Sequence, residues 1–235
     1  MKTFFYLVAL AFAPFGRGVE VAKPEVHQEC NIEGWTVRVD VRLLAAPNEE
    51  LGRRAMKLLE ARLTDIVAVV APGPLAELRK VPIVLDLTHG ELTSMQYHGD
   101  VGWVVGHGYA RQLAKCVHIP EVARFVWARH QHIQPWCVLH ELAHAYHDQV
   151  LGFSDPRIRA AWEHYVASGH GASVLRIDSE KRVPHYALTN EKEFFAEMSE
   201  AYFGVNDFFP FTNAELKEAE PEAYALMYEI WGAVP

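Results

Sequence analysis

The spacing of apolar residues along the first half of the chain predicts a mixture of strands and helices. Apolar and polar residues alternate over 35–41 (WTVRVDV), which is the period of a half-buried strand. Leucines and an isoleucine recur near one face over 50–70, which predicts a helix that the following Pro-Gly-Pro sequence ends. The apolar run 81–87 (VPIVLDL) predicts a buried strand, and 102–105 and 115–119 are weaker strand candidates.

Helices dominate the predicted second half of the chain. The predicted helices cover 136–151, 156–168, 190–203 and 221–231, and a short strand is predicted over 173–177. Gly204 suits the left-handed turn that follows many helix ends, and Pro221 suits a first helical position. Strands and helices mixed in the first half, followed by helices in the second, predict an α+β fold with an N-terminal mixed sheet.

Length and charge narrow the class of protein. The chain has 235 residues, half of them hydrophobic, which is enough for one compact domain. A formal net charge of -8 and the lack of a basic run argue against a broad nucleic-acid surface. We therefore expect no nucleic-acid partner.

The N-terminus has the pattern of a secretory signal peptide. One lysine precedes an apolar run over 4–13, which is too short to cross a bilayer comfortably but suits a signal-peptide core. We predict a signal peptide over 1–22, with the cleavage position open, and a single mature domain over 23–235 that is secreted, either extracellular or periplasmic. A short membrane anchor or a buried helix is the alternative for 1–22. No later segment is apolar enough to predict a stable membrane span in the mature form.

The cysteine count leaves the redox state open. Three cysteines, Cys30, Cys116 and Cys137, are present. In an exported protein an odd count indicates either one disulfide with one free thiol or three thiols. The sequence does not choose among the pairings.

The most informative stretch is HELAHAYH at 140–147. His140 and His144 are four residues apart, so on a helix they project from one face and can hold one zinc ion together. Glu141 lies roughly 100° round the helix, near enough to act on a metal-bound water without binding the metal. HExxH therefore predicts two zinc ligands and a general base. The alternative is a polar helix face with incidental histidines.

The third ligand does not come from the same helix. The HExxHxxGxxH class is excluded because its last position is Val150. His147 lies seven residues after His140, roughly 10.5 Å along the axis, so both cannot bind one ion with bonds near 2 Å. We expect His147 to lie outside the ligand set or to be exposed. Cys137 is expected to pack or to form a disulfide, and Asp148 either orients the second histidine or is an exposed carboxylate.

A better third ligand lies downstream, in the predicted helix 190–203. Glu193, Glu197 and Glu200 follow one another at i, i+4 and i+7 on one face, opposite an apolar face. An acidic stripe of this kind is usually solvated, and Asn190 with Glu193 also fits a capping box at the helix start. The pattern alone does not decide between a ligand and a cap.

The two motifs together resemble a known family. HELAHAYHD followed by YALTNEKEFFAE at 186–197 is similar to the protease domain of anthrax toxin lethal factor and to the related secreted Pro-Pro endopeptidases, which are zinc metallopeptidases. The similar stretch covers 136–204 and does not extend to the substrate groove. The resemblance implies a zincin-like fold and these roles: zinc ligands His140, His144 and Glu193, general base Glu141, oxyanion-binding phenol Tyr186, and Glu197 as the partner of a ligand histidine.

We therefore expect a secreted zinc-dependent metallopeptidase that holds one zinc ion per chain and acts on a peptide or protein. Zinc would lower the pKa of a bound water, Glu141 would take its proton, and Tyr186 would share the oxyanion charge with zinc. An extended substrate is expected along an edge strand, for which 115–119 is the candidate. The alternatives are a non-catalytic binding module stapled by zinc and a zinc hydrolase of a non-peptide substrate.

Overall fold

The computed structural model of the protein describes residues 22–234. The predicted signal peptide over 1–22 lies outside the described residues except for its last position. A mixed sheet occupies the first half of the described chain and helices occupy most of the second half, which confirms the α+β class. Among the helices of this part of the chain, none has the length and apolar character needed to cross a membrane.

The main sheet has five strands in the order β1-β2-β3-β5-β4. The strands are β1 (His27–Ile32), β2 (Trp35–Asp40), β3 (Ile83–Leu85), β4 (Gln96–Tyr97) and β5 (Val117–Ile119). The central pairs β2–β3 and β3–β5 are parallel, and the outer pairs β1–β2 and β4–β5 are antiparallel. Three predicted strands are confirmed as β2, β3 and β5.

Strand β5 is not an edge strand, so the prediction that 115–119 offers a free edge is wrong. It pairs with β3 on one side and with β4 on the other. The short strand β4 covers it and becomes the edge of the sheet on that side. The sequence signal for β4 is weak because the strand has only two residues.

Alternation along the strands gives the sheet two different faces. One face carries the apolar residues that enter the main core: Val37, Val39, Ile83, Leu85, Val117 and Ile119. The other face carries Val84 and His118, which are partners in the β3–β5 register, and it is covered by a smaller apolar cluster around Val104 and Leu113. Buried polar groups therefore collect on the second face.

The helices of the described chain are α1 (Glu49–Val69), α2 (Pro72–Leu78), α3 (Val101–Gly106), α4 (Val122–Phe125), α5 (Ala128–Ile133), α6 (Cys137–Tyr146), α7 (Pro156–Ser168), α8 (Glu191–Phe203), α9 (Asn213–Ala219) and α10 (Pro221–Trp231). The five predicted helices are confirmed as α1, α6, α7, α8 and α10, whereas α2, α4, α5 and α9 were not predicted and α3 replaces a predicted strand. Helix α6 continues as a π-helical turn over His147–Leu151. A small hairpin, β6 (Val174–Arg176) and β7 (Ser179–Val183), confirms the strand predicted at 173–177.

The predicted strand at 102–105 is wrong, because this segment forms α3. The side chain of Asp100 accepts hydrogen bonds from the backbone N–H groups of Gly102 and Trp103 at 2.6 and 3.1 Å. These bonds cap the helix at its start and favour the helical backbone over the extended one. The apolar run alone did not carry that information.

Helices α6 and α8 pack directly against each other. Gly204 ends α8 with φ −149°, so the predicted left-handed conformation is wrong. The glycine is needed for close packing instead, because a Cβ atom there would lie 1.9 Å from Cε2 of Trp136, the residue that precedes α6. The end of α8 is therefore held against the start of α6.

All three cysteines are free thiols, which agrees with the three-thiol alternative. Cys116 and Cys137 are buried, and Cys30 is partly buried. Cys137 packs in the main core, and burial raises the pKa of its thiol to about 12. It is a packing residue in this fold.

Candidate metal centre

Two histidines share one face of α6. His140 and His144 are four residues apart, and their rings lie edge to face with centroids 4.8 Å apart. Each side chain is 12% exposed, so both rings border open space instead of lying wholly in the core. The helix therefore presents two imidazoles to the same region.

Glu193 joins this pair from the first turn of α8. Its Oε2 lies 3.2 Å from Nε2 of His140 and 3.2 Å from Nε2 of His144. The three ligand atoms lie within 4.8 Å of one another, so these residues could hold a metal ion. Two imidazoles and a carboxylate are also a familiar protein contribution to a metal centre with one open position. The three residues named from the sequence are thus brought together.

The start of α8 explains how Glu193 comes to face the histidines. The Oδ1 of Asn190 accepts hydrogen bonds from the backbone N–H groups of Lys192 and Glu193 at 2.9 and 3.0 Å. A full capping box would also direct the Glu193 carboxylate back to Asn190, but it is directed to the two histidines. Burial raises the pKa of Glu193, but hydrogen bonds with the histidines outweigh this and hold the pKa well below its usual range.

The other nitrogen of His140 faces two carboxylates of α8. Nδ1 lies 2.6 Å from Oε1 of Glu200 and 3.6 Å from Oε1 of Glu197. The shorter distance is a hydrogen bond, so Glu200 fixes the ring and directs Nε2 towards Glu193. The resemblance assigned this partnership to Glu197, and the hydrogen bond goes instead to Glu200, three residues further along α8.

Negative charge accumulates behind His140. Burial and then the neighbouring carboxylates of Asp207 and Glu200 raise the pKa of Glu197 well above its usual range. Burial and Glu200 also raise the pKa of Asp207 to about 7. Burial alone would lower the pKa of His140, but hydrogen bonds with Glu193 and Glu200 raise it well above the usual value. A cation at this point, either an imidazolium or a metal ion, compensates the surrounding carboxylates.

Glu141 lies beside the histidines and outside the group that could hold a metal. Its Oε2 accepts a hydrogen bond of 2.7 Å from the backbone N–H of Tyr97 in β4. Among the described residues no group donates to Oε1, which leaves this oxygen available to a molecule in the cleft. Burial raises the pKa of the Glu141 carboxyl. A carboxylate with one oxygen held and a raised pKa has the properties of a general base.

These side chains line an open cleft of about 490 Å³. Tyr186, in a single helical turn ahead of α8, lines the same cleft and is 46% exposed. A second cavity of about 630 Å³ adjoins it, and the two share Gln96, Tyr97, His144 and Glu193. The two cavities therefore meet at these four residues, and the pair is called the groove below.

Two neighbours of the HExxH motif differ from expectation. His147 lies outside the ligand group but is fully buried, with the rings of Phe153 and Phe195 each 5.2 Å away. Of the two alternatives given for His147, exposure is wrong, because Phe195 of α8 and the chain after Gly152 cover this turn. Asp148 accepts a hydrogen bond of 2.6 Å from the hydroxyl of Tyr97, so it orients that phenol instead of a ligand histidine.

Sequence reasoning missed a second group that could hold a metal ion. It consists of Asp86, His89 and His118, all of them buried. Asp86 and His118 interrupt the apolar runs that form β3 and β5. A polar residue inside a buried strand is costly unless it has a partner, and this is the signal that could have drawn attention to them.

Comparisons with protein-family models, with curated proteins and with solved structures found no match to this chain. The resemblance to the lethal-factor family, drawn from residues 136–204, therefore stays a prediction based on motifs. The function proposed below is argued from the side chains and their geometry.

Proposed function

We propose that the protein is a zinc-dependent peptidase with a zincin-like fold, in which His140, His144 and Glu193 bind the metal. The observation that carries this proposal is the convergence of two Nε2 atoms on one Glu193 oxygen, each at 3.2 Å. The partly buried carboxyl of Glu141 lies next to this point and outside the ligand group. Imidazole and carboxylate donors in this number suit a catalytic zinc ion, which keeps one position for water or substrate.

The donor set fits zinc in its protonation chemistry. Glu200 engages Nδ1 of His140, so Nε2 is the nitrogen left for the metal. Hydrogen bonds with the histidines overcome the effect of burial and keep the pKa of Glu193 low, so this ligand is ionised at neutral pH. A metal ion would replace the proton held between His140 and Glu193, and zinc binding should therefore release protons.

The residues around the metal divide the catalytic work. When bound, zinc supplies Lewis-acid catalysis, which polarises a peptide carbonyl and lowers the pKa of a water molecule. Glu141 accepts the proton of the attacking water at Oε1, while the backbone of Tyr97 holds Oε2 in place. The same carboxyl then delivers a proton to the leaving amine. The hydroxyl of Tyr186 donates a hydrogen bond to the carbonyl oxygen as negative charge develops there.

The shape of the groove favours an extended peptide as substrate. It continues on both sides of His144 and Glu193, through cavities of about 490 and 630 Å³. Strand β4 borders both cavities and is the outermost strand of the sheet on this side. A peptide can pair with such an edge through its backbone. We propose β4, in place of 115–119, as the strand that binds substrate.

Two other functions would use the same metal. A non-catalytic zinc module normally surrounds its ion with four protein ligands, whereas three residues of the described chain form this group. Such a module would also have no use for Glu141, whose partial burial costs free energy. A hydrolase of non-peptide substrates would use the same side chains, and the length of the groove argues against it.

We also propose that the protein is exported, because residues 1–22 carry the signal-peptide pattern. Mass spectrometry of secreted material should find a start between residues 14 and 23. A secreted chain that keeps Met1 would contradict this.

Digestion of a peptide library by purified mature protein tests the proposed function. We expect cleavage at a limited set of bonds, its loss with a zinc chelator, and its return when zinc is restored. The matched control is Glu141→Gln, which keeps the side-chain size and should bind zinc without cleaving. Bound zinc with no turnover of any substrate would favour the binding module, and turnover confined to non-peptide substrates would favour the other hydrolase.

A further inference from the structure

The carboxylate of Asp86 forms hydrogen bonds with three histidine rings in a part of the fold away from α6 and α8. Its carboxylate is fully buried, with Oδ1 2.6 Å from Nε2 of His27. Oδ2 lies 2.7 Å from Nδ1 of His89 and 2.8 Å from Nε2 of His118. Burial would raise the pKa of Asp86, but hydrogen bonds with the three histidines outweigh it and lower the pKa far below its usual range. The carboxylate is therefore ionised, and three imidazoles bind it.

The residues of this cluster come from distant parts of the chain, and the alternation of side chains between the two faces of the sheet places them on one face. Val84 and His118 are register partners on β3 and β5, and Asp86 is two residues beyond Val84 on the same face of the sheet. His27 comes from the start of β1, and His89 comes from the chain that follows β3. The cluster therefore joins residues of β1 and β5, the chain that directly follows β3, and the loop beyond it, on the face opposite the main core.

The geometry is that of ligands arranged around a point. Oδ2 of Asp86, Nδ1 of His89 and Nε2 of His118 lie within 4.8 Å of one another. The rings of His89 and His118 lie edge to face with centroids 4.7 Å apart, so they approach the same oxygen from different directions. Bonds of about 2.0–2.1 Å to a metal set neighbouring ligand atoms roughly 3 Å apart, so a small opening of the cluster would admit an ion.

The surrounding contacts are those that orient metal ligands. Nδ1 of His118, on the far side of the ring from Asp86, lies 3.1 Å from Nε2 of His98, which is itself buried. His27 holds the second oxygen of Asp86 and leaves Oδ2 directed at the two other rings. Ligand histidines usually have such a partner on the nitrogen that does not bind the metal.

We propose that Asp86, His89 and His118 form a second metal site, distinct from the one on α6 and α8, which takes a divalent ion such as zinc. Two imidazoles and one carboxylate suit zinc and its neighbours in the first transition row. All three residues are buried, and none of them lines either cavity of the groove. A metal ion here would therefore have a structural role and would link β5 to β3 and to the loop that follows β3. His98 directly follows Tyr97, so an ordered His118 also steadies the strand that holds Glu141.

Zinc titration of the metal-free full chain tests this site. With bound metal counted by elemental analysis, wild-type protein should bind two zinc ions per chain and His89→Gln one. His132→Gln, which alters an exposed histidine of α5, is the matched control and should bind two. Glu193→Ala should keep one zinc, and the double variant with His89→Gln should bind none. Wild type with one zinc, together with Glu193→Ala with none, would overturn the second site while leaving the proposed function intact.

Cobalt provides a readout that does not depend on the folding of His89→Gln. The Glu193→Ala protein should bind one cobalt ion and give visible absorption bands of a nitrogen- and oxygen-ligated site. The same protein should melt at a higher temperature with the metal than without it. Absence of bound cobalt in folded Glu193→Ala protein would overturn the proposal. Binding of one cobalt ion by Glu193→Ala, with the same amount bound after His132→Gln is added to it, would support the proposal.

Discussion

The hydrogen bond between Nδ1 of His140 and Oε1 of Glu200, 2.6 Å long, connects the two helices that carry the possible metal ligands. Because an imidazole held at one nitrogen is oriented at the other, Glu200 determines where Nε2 points. Glu197, at 3.6 Å, is near enough to add charge but does not make this hydrogen bond. The two carboxylates therefore have separable effects on metal binding.

We predict that Glu200→Gln weakens zinc binding by about 10–100-fold, the usual cost of removing the partner of a ligand histidine. Glu197→Gln should have a smaller effect, because its contact with His140 is longer. Competition with a chromophoric chelator gives both affinities. A larger loss in Glu197→Gln would show that the partner is the residue the motif suggested.

We predict that Tyr186→Phe lowers kcat by about 10²–10³-fold, because it removes one hydrogen-bond donor to the developing oxyanion. The ring remains, so KM and zinc content should change little. Tyr228→Phe is the matched control, since this exposed tyrosine lies outside both cavities and should keep full activity. An unchanged kcat in Tyr186→Phe would remove this residue from the mechanism.

His147 should make the metal-free protein less stable as the pH is lowered from about 6.5 to about 4. Burial lowers the pKa of His147 to about 4 from its usual 6.5, so in this window the unfolded chain binds a proton that the folded chain does not. Unfolding is then favoured by acid, by about 1.4 kcal/mol per pH unit for such a site. Urea unfolding at several pH values, with chelator present, measures the slope.

The variant His147→Leu should make that slope shallower. Neither ring nitrogen of His147 has a hydrogen-bond partner among the described residues, so the substitution removes no bond and should not destabilise the protein near pH 7. His132→Gln, an exposed histidine, should leave the slope unchanged. An identical slope in wild type and His147→Leu would contradict the account of this residue.

We predict that Gly204→Ala destabilises the protein by about 1–3 kcal/mol, as overpacking in a core usually does. The added Cβ would lie 1.9 Å from Cε2 of Trp136, and either α6 or α8 would have to move. Gly106→Ala in α3 is the control, because its Cβ would meet no atom within 4 Å. Equal melting temperatures for the two variants would show that the helices do not need this close approach.

The sequence predicted what depends on neighbouring residues. The bounds of α7 and α8 and the face shared by His140 and His144 follow from local spacing, and the structure agrees with them. The choice between Glu197 and Glu200 depends on how α8 packs on α6, since both residues lie on the same side of the helix. The spacing of residues along the sequence does not show how α8 is rotated against α6.

Pairing between distant segments escaped prediction for the same reason. Strand β4 covers β5 and moves the free edge of the sheet, although its two residues carry almost no strand signal. Asp86 meets His27 and His118 only because the start of the antiparallel strand β1 lies at the same edge of the sheet as the carboxyl ends of β3 and β5. The helix α3 was mistaken for a strand because the cap from Asp100 outweighs an apolar run.

The proposed function requires Glu193 to bind a metal ion and Glu141 to act as the general base. The decisive measurement compares the metal content of Glu193→Ala with the turnover of Glu141→Gln. Both substitutions are made in the His89→Gln protein, which is expected to lack zinc at the second site. In that background we predict that Glu193→Ala holds no zinc. Glu141→Gln should hold about one zinc ion and lose turnover by about 10²–10⁴-fold, the typical loss of a general base. Zinc retained by Glu193→Ala would refute Glu193 as a metal ligand, and turnover retained by Glu141→Gln would refute Glu141 as the general base.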